Sequence, residues 1–238
     1  TNAIVSWEAL LRWEHPLLGQ VSPERIIPVA EETGLIHQLG NWVIQTACRQ
    51  ARSWQDEGVG SFRISVNVSP SQLDNPALEE VVIQAIEHNR LSPKQLELEI
   101  TESILMTHSP VAMKTLDALR RYGVLLTLDD FGTGYSSLTY LKTLSVDRVK
   151  IDRSFISNIL NDKIDASIVQ AVVNLANNLA LGVVAEGVET QEQHSFLEAN
   201  GCMEMQGFLM GHPMPPEIIP TYIAALKSAA RAANQLTD

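Results

Sequence analysis

The chain has 238 residues, of which 45% are hydrophobic and 19% are charged, and its formal net charge is −11. This length suffices for one large domain with a hydrophobic core. The acidic balance argues against a broad basic surface, so we expect no nucleic acid polymer as a partner. No apolar run approaches the ~20 residues of a transmembrane helix, and the N-terminal residues lack the pattern of a signal peptide.

The two cysteines, Cys48 and Cys202, lie in helical or apolar contexts without the spacing of a metal site. We interpret them as reduced core thiols of a cytoplasmic protein. The chain begins at Thr1 without a methionine and enters strand-like sequence almost at once. We therefore expect a fragment of a longer protein, and a membrane anchor upstream stays open.

Strand and helix patterns alternate along the chain. The predicted strands cover residues 4–13, 62–68, 95–101, 124–130, 146–151, 181–185 and 202–208. The predicted helices cover residues 22–32, 35–57, 69–89 with a break near 75–76, 109–123, 137–143, 153–178, 190–201 and 216 to near the end. Ser22, Ser109 and Thr190 are candidate cap residues, and Gln193 completes a capping box with Thr190.

This alternation predicts parallel strands joined by crossover helices. The size and the number of units favour a (β/α)8 barrel, which typically takes ~250 residues. The strand count is one short, and the missing strand could lie upstream of Thr1. A doubly wound open sheet is the alternative, but no GxGxxG or Walker-type loop favours it.

Two adjacent carboxylates, Asp129 and Asp130, stand where the apolar run at 124–126 ends. Like charges side by side raise each other's pKa, and a divalent cation would neutralise them. These residues alone leave an equal alternative, in which the acids only end a strand and cap the next helix.

The other predicted strands also end in polar side chains. Together with the two aspartates, these residues are Glu8, Asn67, Glu99, Lys150, Glu186 and Gln206. In a barrel the carboxyl ends of the strands meet at one mouth, where catalytic sites lie. A structural polar layer is the alternative, and it explains such a concentration less well.

These donors form an all-oxygen set without histidine or cysteine, which suits Mg²⁺ or Mn²⁺ rather than Zn²⁺. Several acids around the aspartate pair favour two ions, and Lys150 would add a positive charge for a water or a transition state. The chemistry indicated is hydrolysis of a phosphodiester. The six histidines share no spacing, and we interpret Asp147 and Arg148 as a turn residue and a surface charge.

The sequence closely resembles the EAL domain family of bacterial cyclic di-GMP phosphodiesterases. The resemblance rests on motifs in the family's order: Glu8-Ala9-Leu10 within EALLRW, the RW-x-HP pattern at 12–23, NVS at 67–69, ELEITES at 97–103, DDFGTGYSSL at 129–138, VKIDRSFI at 149–156, AEGVE at 185–189 and QGF at 206–208. It covers residues 4 to about 215.

The resemblance implies hydrolysis of cyclic di-GMP to linear pGpG with two ions, Mg²⁺ or Mn²⁺. One ion would be held by Glu8, Asn67, Glu99 and Asp129. The other would be held by Asp130 and Glu186, with Asp129 as a bridge.

The resemblance also implies roles for residues around the ions. Lys150 would hold the nucleophilic water, Gln206 would support the site, and Glu102 would order the loop at 131–137. That loop lies at the family's dimer contact, which implies a homodimer. Substrate contacts would come from Arg12, Asp152 and Glu189.

The family barrel has an antiparallel first strand that precedes EALLRW and is absent from this chain. Tethered sensor or GGDEF domains are common in the family and could lie upstream. Two further functions stay open: a cyclic di-GMP receptor that binds without cleaving, and a barrel hydrolase for another phosphodiester. The complete set of ligand residues favours the active enzyme over the receptor.

Overall fold

The computed structural model describes residues 3–102, 109–132 and 146–235. Within these ranges seven strands form one parallel sheet in the order β1, β4, β5, β6, β7, β8 and β9. The bounds are β1 Ser6–Ala9, β4 Arg63–Asn67, β5 Leu96–Thr101, β6 Leu125–Phe131, β7 Arg148–Ile151, β8 Gly182–Ala185 and β9 Glu204–Met205. Strands β2 (Trp13–His15) and β3 (Gly19–Val21) form a separate antiparallel hairpin.

Helices connect successive strands of the sheet, as the alternation predicts. They are α1 Pro23–Thr33, α2 Ile36–Asp56, α3 Pro70–Leu73, α4 Ala77–His88, α5 Pro110–Tyr122, α6 Arg153–Ser157, α7 Lys163–Asn178, α8 Gln191–Ala199 and α9 Ile219–Gln235. Short 3₁₀ turns at Pro93–Gln95 and Pro216–Ile218 precede β5 and α9. Among the described helices, none is long and apolar enough to cross a membrane.

The hydrophobic core lies between the sheet and the helices. Side chains alternate along a strand, so Leu98 and Ile100 of β5 pack outward and are fully buried, while Glu97 and Glu99 of the same strand point inward. The inner face of the sheet is therefore polar, and it is this face that holds the candidate site.

The sheet curls until its two outermost strands approach each other. Gln206, directly after β9, donates a hydrogen bond of 2.6 Å from Nε2 to Oε2 of Glu8 in β1. Outside this junction, α9 packs against β1, with the rings of Tyr222 and Trp7 6.3 Å apart. The curled parallel sheet with its outer helices is a (β/α)8-like fold, and this confirms the predicted fold class.

Several predicted bounds are wrong in detail. The first predicted strand is divided, because the chain after β1 turns into the hairpin that begins at Trp13. The predicted strand at 202–208 is reduced to Glu204–Met205, and the predicted helix at 153–178 is interrupted between α6 and α7. Ser22 precedes α1 without a side-chain cap, whereas Ser109 and Thr190 both cap their helices. The predicted helix at 137–143 lies outside the described residues.

Both cysteines are fully buried and free. Burial raises the pKa of Cys48 to about 12 and that of Cys202 to about 11. Thiols in this environment are unreactive, which agrees with the interpretation as core residues.

Candidate active site

Lys150 is the centre of the polar cluster inside the barrel mouth. It extends inward from β7, and only 2% of its surface is exposed. Its Nζ lies 2.5 Å from Oε1 of Glu186, 3.0 Å from Oε2 of Glu99, 3.5 Å from Oδ1 of Asp129 and 4.0 Å from Oε2 of Glu8. Four predicted site residues from four other parts of the sheet therefore surround one ammonium group.

Glu8 links the first strand to both of its neighbours across the sheet. Its Oε1 accepts a hydrogen bond of 2.8 Å from Nδ2 of Asn67, and its Oε2 accepts the bond from Gln206. Directly after Gln206, position 207 has no room for a side chain, since a Cβ there would lie 2.2 Å from the carbonyl oxygen of Val188. The amides of Asn67 and Gln206 thus fix both oxygens of one carboxylate.

An irregularity in β6 brings two adjacent aspartates to one side of the strand. The pairing of β6 with β7 shifts register between Leu128 and Phe131, and Asp130 has a φ of +54°. Neighbouring side chains of a regular strand point to opposite faces, whereas a bulge redirects one of them. The backbone N–H of Asp130 also donates to Oδ1 of Asp129 at 3.0 Å.

The carboxylates of the mouth are buried close to one another, and both effects disfavour their charged forms. Burial raises the pKa of Glu99 to about 8 and that of Glu186 to about 7, and neighbouring carboxylates add to both increases. Burial and then Asp129 also raise the pKa of Asp130. Burial acts to lower the pKa of Lys150, but the carboxylates around it raise that pKa above its usual value.

The residues fit a cation. Asp129, Asp130 and Glu186 each offer an oxygen, and these oxygens lie within 4.8 Å of one another. Among the described residues, five carboxylates in the mouth (Glu8, Glu99, Asp129, Asp130 and Glu186) face one lysine, Lys150. Carboxylate oxygens in this number suit a hard divalent ion.

Glu102 lies just beyond the end of β5 and acts on the backbone after the aspartates. Its Oε1 accepts a hydrogen bond of 3.0 Å from the N–H of Gly132. This bond holds the backbone at Gly132, and the role of Glu102 in ordering the loop at 131–137 stays a prediction. The rest of that loop, and with it the predicted dimer contact, lies outside the described residues.

The three predicted substrate contacts lie at the edge of the cluster. Arg12 is exposed between β1 and the hairpin, and Glu189 is exposed after β8. Asp152 caps α6, where its Oδ1 accepts a bond of 2.9 Å from the N–H of Ser154. The roles of these three residues as substrate contacts stay predictions.

The interpretation of Arg148 as a surface charge is wrong. Only 8% of Arg148 is exposed, and its guanidinium pairs inside the barrel with Glu97 and Glu204. The sequence does contain a sign that Arg148 points inward, because Arg148 stands two residues before Lys150 and so lies on the same face of β7. Glu97 bears the same relation to Glu99 on β5.

The sequence matches the EAL domain family over residues 1–213. The chain belongs to the EAL domain family. It is 47% identical over 93% of its length to "Bifunctional diguanylate cyclase/cyclic di-GMP phosphodiesterase MucR" of Pseudomonas aeruginosa, and covers 32% of that protein. It is 43% identical over 96% of its length to "Cyclic di-GMP phosphodiesterase NbdA" of the same organism, and covers 30% of it.

This EAL domain also resembles solved structures of the family. One of them, described as "PaMucR Phosphodiesterase, c-di-GMP complex", is 47% identical and superposes with a TM-score of 0.85. The match covers 90% of this chain and 87% of that one. The chain spans about a third of the length of the two curated relatives.

Proposed function

We propose that this EAL domain is a metal-dependent phosphodiesterase that hydrolyses cyclic di-GMP to linear 5′-pGpG. The observation that supports this most strongly is the excess of carboxylates around Lys150 in the barrel mouth. Relatives with 47% and 43% identity that are named for cyclic di-GMP hydrolysis support the choice of substrate.

The ligand assignment is the one that the resemblance to the family implies. Glu8, Asn67, Glu99 and Asp129 would hold one Mg²⁺ or Mn²⁺ ion, and Asp130 and Glu186 would hold a second, with Asp129 between them. Bound ions would supply an activated water and would neutralise charge on the phosphate oxygens.

The chain's own groups would position the reactants. Lys150 lies among the ligands and can donate to a water or to a developing negative charge. Gln206 and Asn67 hold Glu8 in one orientation, and Glu102 holds the backbone after Asp130. Arg12 would bind phosphate, and Asp152 and Glu189 would complete the contacts to the dinucleotide.

We also propose a cell compartment, additional domains and an oligomeric state for this domain. We expect a cytoplasmic domain within a longer signalling protein, tethered to sensor or GGDEF domains and paired as a homodimer through the loop at 131–137. The length of the curated relatives supports additional domains in such proteins.

The first test is incubation with cyclic di-GMP and Mg²⁺ or Mn²⁺, with an EDTA control, followed by chromatography for linear pGpG. We expect product only with metal. Glu8→Gln should abolish turnover and leave the fold intact, whereas Glu80→Gln on the exposed face of α4 should behave like the wild type.

Other outcomes have definite meanings. Tight binding of cyclic di-GMP without product would replace the enzyme by a receptor. Cleavage of nitrophenyl phosphodiesters without cleavage of cyclic di-GMP would keep the chemistry and overturn the substrate. Wild-type turnover by a folded Glu8→Gln variant would remove Glu8 from the site.

A further inference from the structure

A second cluster of charges lies inside the barrel, below the mouth. It consists of Arg63 of β4, Glu97 of β5, Arg148 of β7 and Glu204 of β9, and we call it the lower charge ring. Glu97 and Arg148 are buried, whereas Arg63 and Glu204 are partly buried. None of its members is among the proposed metal ligands or substrate contacts.

The ring is closed, since each arginine contacts both glutamates. Arg63 places Nε 3.3 Å from Oε2 of Glu97 and Nη2 2.5 Å from Oε2 of Glu204. Arg148 places Nε 3.4 Å from Oε1 of Glu97, and its Nη2 donates to Oε2 of Glu204. The hydroxyl of Thr127 on β6 donates to Oε1 of Glu97.

The barrel wall is shaped to receive Arg148. Position 182 on the neighbouring strand β8 is glycine, and a Cβ there would lie 3.1 Å from Nη1 of Arg148. A larger residue at this position would compete with the guanidinium for space. The guanidinium therefore has a built place at which its planar fork reaches two carboxylates.

The ring constrains a strand that has few other constraints. Strand β9 pairs only with β8 in the described structure, at Glu204 and Met205. The side chain of Glu204 crosses the interior and pairs with β4 and β7. The ring thereby connects β9 to two strands with which it shares no backbone pairing.

Site residues follow the ring members along the same strands and faces. Glu99 follows Glu97, Lys150 follows Arg148, and Gln206 follows Glu204, each by two residues. An extended chain rises ~3.3 Å per residue, so each site residue lies about 7 Å above its ring partner. A displacement of the ring would therefore move three members of the mouth together.

We propose that the lower charge ring positions Lys150, Glu99 and Gln206, so that Arg148 and Glu204 are positioning residues of the metal site. This inference rests on the proposed function insofar as those three residues serve a metal-binding mouth. The ring itself holds two positive and two negative charges, so it needs no ligand to balance it.

The test compares Arg148→Met, Glu204→Gln and the double variant with the wild type. Hydrogen exchange reports on the amides of Gln206 and Leu209, which donate to Ala185 and Val188. Calorimetry with Mn²⁺ alone reports on the metal site, and urea unfolding reports on stability. In folded single variants we expect exchange at these amides to rise at least tenfold and Mn²⁺ affinity to fall ~10- to 100-fold.

The double variant separates positioning from fold stability. It leaves the pair of Arg63 and Glu97 in balance, so stability should recover relative to either single variant. Mn²⁺ affinity should stay low, because the link between β9 and β7 is absent. If the double variant recovers Mn²⁺ affinity together with stability, the proposal is overturned. It is also overturned if folded Arg148→Met shows the same hydrogen exchange and Mn²⁺ affinity as the wild type.

Two controls keep the result interpretable. Arg52→Met breaks the pair of Arg52 and Asp56 on α2, outside the barrel, and should change neither exchange at β9 nor Mn²⁺ affinity. If Arg148→Met does not fold, Arg148→Lys keeps the charge but loses the fork and should still raise exchange. A wild type that binds Mn²⁺ but does not cleave cyclic di-GMP would refute the proposed function alone. If the wild type binds no Mn²⁺, hydrogen exchange at Gln206 and Leu209 decides whether the ring positions these residues.

Discussion

The barrel interior contains two layers of charge that differ in balance. In the mouth, five carboxylates face Lys150, whereas the lower charge ring pairs two arginines with two glutamates. Burial raises the pKa of Glu99 to about 8, and the carboxylates of Glu8 and Asp129 add to this increase although Lys150 opposes it. Burying charge is tolerated where it is paired, and an excess of one sign calls for an ion or for protons. The comparison indicates that the charges of the mouth serve to bind a ligand, whereas those of the ring serve to position neighbouring side chains.

The largest expected contrast comes from the same substitution at two positions of β5. Glu97→Gln should lower the free energy of unfolding by about 3 kcal/mol, because the buried Arg148 and the partly buried Arg63 keep only one carboxylate between them. Glu99→Gln should change stability much less in the absence of metal, because Lys150 keeps Glu186 at 2.5 Å and Asp129 at 3.5 Å as partners. It should abolish Mn²⁺ binding. Urea unfolding in EDTA and calorimetry measure both, and equal destabilisation by the two variants would contradict the comparison.

Metal should stabilise the protein through the mouth alone. At about 100 times its Kd, Mn²⁺ should raise the free energy of unfolding of the wild type by about 2.7 kcal/mol relative to EDTA. The increase should vanish in Glu99→Gln, which loses a ligand. An equal increase in that variant would place the stabilising ion elsewhere on this acidic chain.

A smaller effect is expected from one hydroxyl in the lower layer. Thr127→Val removes the hydrogen bond to Glu97 and should cost about 2 kcal/mol, as the acceptor is a buried carboxylate. Thr115→Val is the matched control, because that buried hydroxyl donates only to the carbonyl of Val111 in its own helix. Its cost should be about 0.5 kcal/mol. Equal costs in urea unfolding would argue against a special role for Glu97.

The smallest effect is expected where charges pair outside the barrel. Arg52 donates two hydrogen bonds to Asp56, but both side chains are substantially exposed to water. Arg52→Met should therefore change the free energy of unfolding least among these variants. If Arg52→Met lowers the free energy of unfolding as much as Glu97→Gln does, burial does not explain the difference between ion pairs inside the barrel and those outside it.

Patterns along the chain predicted most of the fold and of the mouth. Alternating apolar runs and helical segments were enough for a parallel barrel-like sheet, and polar residues at strand ends indicated Glu8, Glu99, Asp129, Lys150 and Glu186 as neighbours. The bounds of β9 were missed because a strand of two residues has too little periodicity to show. The hairpin of β2 and β3 was missed because Trp13 continues the apolar pattern of the strand before it.

The sequence by itself determined the class of fold, the family and the acids of the mouth, because these depend on local periodicity and on motifs read along the chain. Only the tertiary structure decided that Glu204 of β9 meets Arg148 inside the barrel. The two residues are 56 positions apart, and their contact depends on how far the sheet curls. Local pattern cannot specify such a distance, since curvature results from the packing of all strands and helices together.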